Sequence, residues 1–152
     1  MDKIRTYIDT SVFGGVFDDE FSKASSIFFS QARKGRFLLY TSPLVKEEIS
    51  YAPEFVQKFF KEILPFTEII DVTEKALQLR NAYLNAKIVS KKNSNDALHV
   101  ALATISGCPI IVSWNFKHIV HFEKITQYNS INLLNGFQQI SIFSPLEVIN
   151  YE

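Results

Sequence analysis

Short strand-like runs alternate with helical segments along most of this sequence. Apolar runs rich in β-forming residues and bounded by turn residues predict strands, at residues 4–8, 37–40, 66–72, 109–113 and 139–143. Alternation of this kind is typical of a parallel sheet with helices on both faces. We therefore predict an α/β fold with about four or five parallel strands, flanked by helices on both sides.

The intervening segments carry helix-start and helix-stop signals. Helices are predicted at residues 22–34, 54–63 and 74–86, where apolar residues recur at helical spacing. Ser42 and Pro43 predict the N-cap and first turn of another helix. Ser94 or Asn95 is the predicted cap of a helix that ends at Gly107, and Ser144 precedes a short last helix. The pair Gly14-Gly15 predicts a break after the first strand, and the segment between Asn115 and residue 139 is ambiguous.

The chain has the length of one domain. At 152 residues, with 47% hydrophobic residues, it contains enough apolar material for one core. No internal repeat, low-complexity tract or Pro/Gly/Ser-rich linker divides it. We predict a single domain over residues 1–152.

Charge and cysteine content limit the classes of function. Lys plus Arg and Asp plus Glu number 16 each, so nucleic-acid binding needs a local basic patch. The single cysteine, Cys108, excludes an internal disulfide and a multi-cysteine zinc site, and it is best explained as a small buried hydrophobe in a reducing cytoplasm. The first residues lack a signal-peptide pattern, and no apolar run approaches the roughly 18 residues of a membrane span. We expect a cytoplasmic protein without membrane contact.

Several polar residues stand at places where sites form in parallel sheets, beyond the carboxyl ends of strands near the reversal of strand order. Asp9 directly follows the first strand, and Asn115 closely follows the strand predicted beside it. Asp96 lies in the first turn of the helix before that second strand, and Glu48 lies on the helix that Ser42 begins. A few carboxylates around an open cavity suit a hard cation, which can activate a water for hydrolysis of a phosphodiester.

Each acid taken alone also has a structural explanation. Asp9 can cap a turn, Glu48 can be a solvated helix residue, and Asp96 can be a favourable charge at a helix N-terminus. Their joint placement adds only a little support for a metal site over these structural roles. Other chemistries have less support, since the sequence has no Ser-His-Asp or Cys-His arrangement. A phosphatase-like or nucleotide-binding domain with Asp9 as nucleophile lacks both an Asp-x-Asp after the first strand and a Gly-rich phosphate loop.

The chain resembles PIN domains from end to end in the order and spacing of its motifs. The matching stretches are Tyr7-Ile8-Asp9-Thr10-Ser11, Thr41-Ser42-Pro43-Leu44-Val45-Lys46-Glu47-Glu48-Ile49, Asn95-Asp96-Ala97-Leu98-His99-Val100-Ala101, Ile111-Val112-Ser113-Trp114-Asn115 and the closing Ile142-Phe143-Ser144-Pro145-Leu146-Glu147. PIN domains are Mg²⁺- or Mn²⁺-dependent ribonucleases, and many single-domain members are VapC-type toxins neutralised by an antitoxin. The resemblance implies a metal-dependent endoribonuclease that acts on RNA, the toxin of a type II toxin-antitoxin pair, and a homodimer.

The resemblance also implies the site residues. The family's acids correspond to Asp9, with Ser11 beside it as a substrate-binding residue, and to Glu48 and Asp96 as the other metal ligands. Glu47 is the alternative for the second acid, because the motif fixes its register less firmly.

The chain departs from the family pattern at Asn115, where most active members carry another aspartate. An amide oxygen can ligate a cation or hold a water, but it adds no negative charge. One metal position and two metal positions are therefore the alternatives for this site. A branch of PIN-like proteins has the same Trp-Asn pair followed by Lys-His, at residues 114–118 here, so Asn115 is interpreted as a subfamily trait in the catalytic constellation. The alternative hypothesis is a catalytically weak PIN-like module that binds RNA or a partner protein.

Basic residues flank the proposed acids. Lys87, Lys91 and Lys92 precede Asp96, and Lys117 follows Asn115. An RNA backbone needs counter-charge to approach carboxylates, so Lys91, Lys92 and Lys117 are candidates for substrate contact.

The three histidines are weighed separately. His99 lies one turn beyond Asp96 and is a candidate substrate-binding or proton-transferring residue, with a packing role as the alternative. His118 and His121 are three residues apart, and a surface or packing role is favoured over a zinc site for this pair.

Overall fold

Five parallel strands form one sheet in the computed structural model, which describes residues 3–151. They are β1 (Ile4–Ile8), β2 (Phe37–Thr41), β3 (Thr67–Ile69), β4 (Ile110–Val112) and β5 (Ser141–Phe143). The strand order is β3-β2-β1-β4-β5, and Tyr7 in the central strand pairs with Tyr40 on one side and Ile111 on the other. The predicted α/β class and parallel sheet are confirmed.

Eight helices accompany the sheet within residues 3–151. They are α1 (Thr10–Gly15), α2 (Ser22–Arg33), α3 (Pro43–Ile49), α4 (Glu54–Ile63), α5 (Glu74–Asn85), α6 (Ser94–Ile105), α7 (Phe122–Leu134) and α8 (Pro145–Val148). The helices form two groups. In the first, α1 packs against α2, α3 and α4, and α8 packs against α2; in the second, α5 packs against α6 and α7. The sheet is thus flanked by helices, as predicted.

The central strand β1 is buried over consecutive residues at its carboxyl end. Thr6, Tyr7 and Ile8 at the end of β1 are all buried, as expected for a parallel strand covered on both faces. Helix α6 is buried from Ala97 to Thr104, so it lies deep in the fold. The deep positions of β1 and α6 fix the backbone next to Asp9 and Asp96.

Most predicted boundaries agree with the structure within one or two residues, but four segments differ. Residues 66–72 form only the short strand β3, because a 3₁₀ turn at Leu64–Phe66 precedes it. Helix α6 begins at Ser94 with Asn93 as N-cap, after another 3₁₀ turn at Lys91–Asn93, so the predicted cap at Ser94 or Asn95 was placed too late.

The other two differences concern whole helices. The pair Gly14-Gly15 does not break the chain after β1 but closes the short helix α1, which begins directly after Asp9. Helix α7 occupies the segment that the sequence left ambiguous. Its apolar periodicity is obscured because Phe122 and Leu134 are exposed while the polar Asn132 is buried.

The prediction of a single domain covers residues 1–152, of which Met1, Asp2 and Glu152 lie outside the described residues. Within residues 3–151, no helix has both the length and the apolar character needed to cross a membrane.

Candidate active site

Asp9 lies where the strand order reverses. The chain runs from β1 outward through β2 to β3, then crosses back to place β4 on the other side of β1. Asp9 follows β1 and Ser113 follows β4, so both emerge at the carboxyl ends of neighbouring strands. A crevice at such a position is the usual ligand site of an open parallel sheet.

Two serine hydroxyls hold the Asp9 carboxylate. Ser11 Oγ donates to Oδ1 at 2.6 Å, and Ser113 Oγ donates to Oδ2 at 2.8 Å. The same hydroxyls accept backbone N–H groups, from Trp114 to Ser11 at 2.9 Å and from Asn115 to Ser113 at 2.9 Å. Asp9 therefore organises the loop after β4, which carries Asn115.

Burial dominates the electrostatics of Asp9, whose side chain is 4% exposed. Loss of solvation raises the pKa of this carboxyl group, although the nearby His99 and the hydroxyl groups of Ser11 and Ser113 oppose the shift. The charge of Glu48 raises the same pKa further, so the two acids share one cleft.

Helix α3 places Glu48 at this cleft. Ser42 caps the helix by accepting the N–H of Val45 at 3.4 Å, with Pro43 at the first turn, as the sequence predicts. Glu48 Oε1 accepts hydrogen bonds from Thr10 Oγ1 and from His99 Nε2, both at 2.6 Å. Glu47 is exposed on the same helix, which favours Glu48 as the second acid.

A chain of buried hydrogen bonds continues behind Glu48. His99 Nδ1 lies 2.8 Å from the Tyr7 hydroxyl, which lies 2.9 Å from Ser42 Oγ. Burial raises the pKa of Tyr7 far above its usual value, so its hydroxyl keeps its proton. Burial also raises the pKa of Glu48, but the hydrogen bonds and charge of His99 and the bond from Thr10 outweigh it and leave that pKa below its usual value.

Asp96 is the third acid and lies in the first turn of α6. Burial raises the pKa of this half-buried carboxyl group, and the charge of Glu48 adds to the shift. The nearby His99 and His118 and a hydrogen bond from Asn115 lower it in part. Asp96 thus belongs to the same electrostatic cluster as Glu48.

Asn115 links the cleft to the turn that follows it. Its Oδ1 accepts the backbone N–H of His118 at 2.9 Å, and its backbone carbonyl accepts from Ile119 and Val120. The amide group is then left to donate to Asp96. Asn115 has both a turn-forming role and contact with the third acid.

Trp114 ties the same loop to the start of α2. Its indole Nε1 donates to Ser25 Oγ at 2.8 Å, and Phe21 stacks on the ring with centroids 4.2 Å apart. A Cβ added at Gly15 would lie 2.6 Å from that indole nitrogen. Gly15 is required here by the close approach of Trp114.

The donor chemistry of the cleft suits a hard divalent cation. Asp9 and Asp96 are carboxyl groups with raised pKa values, and within residues 3–151 neither forms an ion pair with a lysine or arginine. A bound cation would supply positive charge to these two carboxyl groups. In the present arrangement, however, no three His, Cys, Asp or Glu side chains within residues 3–151 are grouped so that they could hold a metal ion. Glu48 instead faces Thr10 and His99.

The residues predicted to bind substrate do not all lie together. Ser11 contacts Asp9 directly. Lys91 lines an open pocket near Asp96, whereas Lys92 and Lys117 are exposed and do not line that pocket. His99 is 2% exposed and both ring nitrogens have hydrogen-bond partners within the protein. In this arrangement the ring is engaged with Tyr7 and Glu48, and the contact between His99 and substrate stays a prediction.

The pair His118 and His121 does not form a metal site. Within the described part of the chain, Nδ1 of each is buried without a hydrogen-bond partner, and no metal-binding group of three includes them. The surface or packing role favoured from the sequence for this pair stays a prediction.

Sequence reasoning did not assign a role to Tyr7, Thr10, Ser42 or Ser113 in the site. Tyr7 and Ser42 act through a chain of contacts that spans β1, α3 and α6, which no local pattern reveals. Ser113 carried a signal, since it follows β4 directly and stands opposite Asp9.

Comparison with solved structures gives the same fold at low sequence identity. VapBC2 from Rickettsia felis, bound to a DNA fragment from the promoter, has a TM-score of 0.56 and 16% identity, with 92% of this chain and 98% of that chain covered. FitAcB from Neisseria gonorrhoeae has a TM-score of 0.59 and 11% identity, covering 94% and 99%. DNA-bound VapBC from Salmonella typhimurium has a TM-score of 0.59 and 15% identity, covering 95% and 99%.

No curated protein sequence matches the chain significantly. The family profile of the PIN domain, in contrast, matches residues 6–119. That stretch contains Asp9, Glu48, Asp96 and Asn115, and thus the whole cleft. With this match over most of its length, the chain belongs to the PIN domain family.

Proposed function

We propose that this protein is a metal-dependent endoribonuclease that hydrolyses RNA phosphodiester bonds. PIN domains are generally nucleases that use divalent metal ions, so the family supports this chemistry. The observation that carries the proposal is the pair of hydrogen bonds at Glu48: Oε1 accepts from Thr10, which adjoins Asp9, and from His99, one turn beyond Asp96 on α6.

Mg²⁺ or Mn²⁺ is the proposed cofactor, and Asp9, Glu48 and Asp96 would hold it. Such an ion supplies a nucleophilic water at neutral pH and neutralises charge that develops on the phosphodiester. The chain's own residues prepare the donors: Ser11 and Ser113 orient Asp9, and His99 orients Glu48. Asn115 donates to Asp96 from the loop after β4.

Cleavage of a structured RNA with Mg²⁺ or Mn²⁺, against an EDTA control, tests the proposal. Asp96→Asn and Glu48→Gln are expected to lose nearly all metal-dependent cleavage while remaining folded, because each removes a charged donor without opening a cavity. Glu47→Gln is the matched control, since Glu47 is an exposed neighbour on the same helix. Equal turnover in Glu47→Gln and Glu48→Gln would contradict the role of Glu48.

We also propose that the protein is the toxin of a type II toxin-antitoxin pair and that an antitoxin protein is its partner. Structures similar in fold include complexes named VapBC and FitAcB, and the two VapBC complexes contain DNA. Homodimer formation is a further prediction from the resemblance, and a cytoplasmic location is a prediction from the cysteine content and the absence of a signal-peptide pattern. Co-expression with the product of an adjacent small gene, followed by measurement of cleavage and of mass in solution, tests the partner and the dimer together.

A catalytically weak module that binds RNA or a partner protein is the second candidate function. Asn115 favours it, since an amide contributes no negative charge to a cleft that needs anionic oxygen for two metal ions. RNA binding without cleavage under any divalent metal would support this second candidate over the nuclease.

A further inference from the structure

An open basic pocket lies beside the cleft, between α7 and the segment that joins α5 to α6. Its volume is about 510 Å³. The basic residues that line it are Lys87, Lys91, Lys124 and His118, and no aspartate or glutamate is among the lining residues. Three lysines around one pocket are a local excess of positive charge on a chain with a formal net charge of zero. This supplies the basic patch that the overall composition lacks.

Contacts within the fold fix parts of this pocket. Lys124 is half-buried, and its Nζ donates to the carbonyl oxygen of Ile88 at 3.0 Å, which ties α7 to the α5–α6 segment. Ile88 and Val89 are buried and form an apolar floor. Lys87 follows the C-cap of α5 with a φ of 62°. Its side chain therefore leaves the helix end at a position that glycine usually occupies.

The pocket is next to the third acid. Asn93 lines it and is the N-cap of α6, three residues before Asp96. His118 also lines it, and the charges of His118 and Asp96 act on each other. A ligand in the pocket would thus lie beside the acids that we have assigned to metal binding.

We propose that this pocket binds the phosphodiester backbone of single-stranded RNA beside the cleft, with Lys87, Lys91 and Lys124 as the contacting cations. This inference rests on the proposed function and names the surface that guides its substrate. Anionic phosphate oxygens match the ammonium groups, and an open pocket lets a chain continue on either side. Lys124 is a contact that the sequence did not suggest, and Lys87 was among the basic residues that flank the acids, whereas Lys92 and Lys117 lie outside the pocket.

The test measures binding of a labelled single-stranded RNA in EDTA, where metal-dependent cleavage does not occur, at several salt concentrations. Each lysine that neutralises one phosphate contributes about 0.7 to the slope of log K against log salt. Lys91→Gln and Lys124→Gln are each expected to weaken binding several-fold at low salt and to flatten that slope by about this amount. Lys58→Gln is the control for Lys91→Gln, as it removes an exposed lysine charge on α4, outside the pocket. Equal effects of the two would overturn the proposal.

Lys87→Gly separates loss of charge from loss of fold. Glycine adopts a positive φ without strain, so this variant should keep or raise the melting temperature while it weakens RNA binding. Lys75→Gln is the control on the same helix, because Lys75 lies at the other end of α5. Unchanged affinity in Lys87→Gly would remove Lys87 from the site, and unchanged affinity in all three pocket variants would overturn the proposal.

Two further ligands test which chemistry the pocket recognises. An RNA of the same sequence with neutral methylphosphonate linkages should bind weakly to the parent and should not distinguish Lys91→Gln from it. Inorganic phosphate should compete only at far higher concentration than RNA, and competition at equal concentration would contradict backbone binding. If the lysine variants cleaved RNA and bound it with parental affinity, the proposed RNA-binding pocket would be contradicted and the proposed nuclease activity would stand. If binding depended on the lysines but no RNA was cleaved, the nuclease activity would be contradicted and the RNA-binding pocket would stand.

Discussion

Nε2 of His99 lies 2.6 Å from Oε1 of Glu48, and this contact closes a ring of hydrogen bonds that begins and ends on one helix. Ser42 caps α3 and contacts Tyr7, Tyr7 contacts His99, and His99 returns to Glu48 on the same helix. The acid is thus held relative to β1 and α6 as well as to its own helix. We interpret His99 as a positioning residue, since its ring contacts the Glu48 carboxylate and is buried, with both ring nitrogens bonded within the protein.

The first prediction concerns this positioning. His99→Ala should weaken Mn²⁺ binding and lower cleavage by about 10- to 100-fold, the range typical of residues that orient metal ligands. His99→Gln should restore part of both, because an amide nitrogen can donate to Glu48. Titration calorimetry with Mn²⁺ measures the binding independently of cleavage.

Tyr7→Phe is the companion variant, as it keeps the buried ring and removes the hydroxyl that contacts His99. It should shift Mn²⁺ affinity in the same direction but by less. If His99→Ala lowered only the melting temperature and left Mn²⁺ affinity at the parental value, His99 would have a packing role alone.

The second prediction contrasts two adjacent glycines. Gly15→Ala should destabilise the protein by about 1–3 kcal/mol, because its Cβ would overlap the indole of Trp114 and the hydroxyl of Ser25. Gly14→Ala should be neutral or stabilising by up to about 1 kcal/mol, since nothing lies within 4 Å of its Cβ position and alanine favours the helix. Chemical denaturation measures both values.

Tryptophan fluorescence provides a local readout for Gly15→Ala and Gly14→Ala. Trp114 is the only tryptophan in the sequence, so its emission reports the loop that carries Asn115. Emission should change in Gly15→Ala and stay parental in Gly14→Ala. The opposite order of effects would mean that Trp114 does not pack against α1 as described.

The sequence predicted those site residues that stand within short, recognisable patterns and missed those that depend on contacts between distant segments. Asp9, Asp96 and Asn115 stand beside strand ends or helix starts that short patterns identify, and the parallel sheet brings those places together. The ring through Tyr7 and His99 depends on side chains more than 90 residues apart, so no local pattern contains it. Helix α7 escaped prediction because its buried face includes the polar Asn132.

The third prediction uses the buried carboxyl group of Asp9. Its pKa is raised by burial, so the folded state resists ionisation more than the unfolded state does. The protonated Asp9 carboxyl group contributes to the free energy of unfolding below about pH 4, the usual pKa of an aspartate. This contribution is lost as the pH rises through the higher pKa of the folded state. Asp9→Asn has no ionisable group here, so its stability should not fall with pH in this way.

In EDTA, the melting temperature of Asp9→Asn at pH 7 should equal or exceed that of the parent, and the difference should shrink toward pH 4. Mn²⁺ should raise the melting temperature of the parent and have little effect on the variant, since a ligand that binds the folded state stabilises it. Asp71→Asn is the control, because Asp71 is exposed after β3. A variant that melted well below the parent at pH 7 would show that the Asp9 carboxylate stabilises the metal-free fold.

The fourth prediction concerns Asn115, whose Oδ1 accepts the N–H of His118 at 2.9 Å while its amide donates to Asp96. Asn115→Asp keeps an acceptor for His118 but loses the donor to Asp96 and adds a charge to a cleft that holds three acids. In EDTA the added charge should raise the pKa of a neighbouring carboxyl group, and a rise of about one unit costs about 1.4 kcal/mol.

For a domain of this size, 1.4 kcal/mol corresponds to a fall in melting temperature of a few degrees. With Mn²⁺ the effect of Asn115→Asp should reverse, because two ions need more anionic oxygen than one. Mn²⁺ should raise the melting temperature of the variant more than that of the parent, and the variant should cleave faster at limiting metal. Asn115→Ala is the control, as it removes the acceptor for His118 without adding charge and should gain nothing from Mn²⁺. Calorimetric titration of Mn²⁺ alongside cleavage rates decides the question: binding to Asn115→Asp that is equal to or weaker than binding to the parent would mean that residue 115 serves only the turn and Asp96.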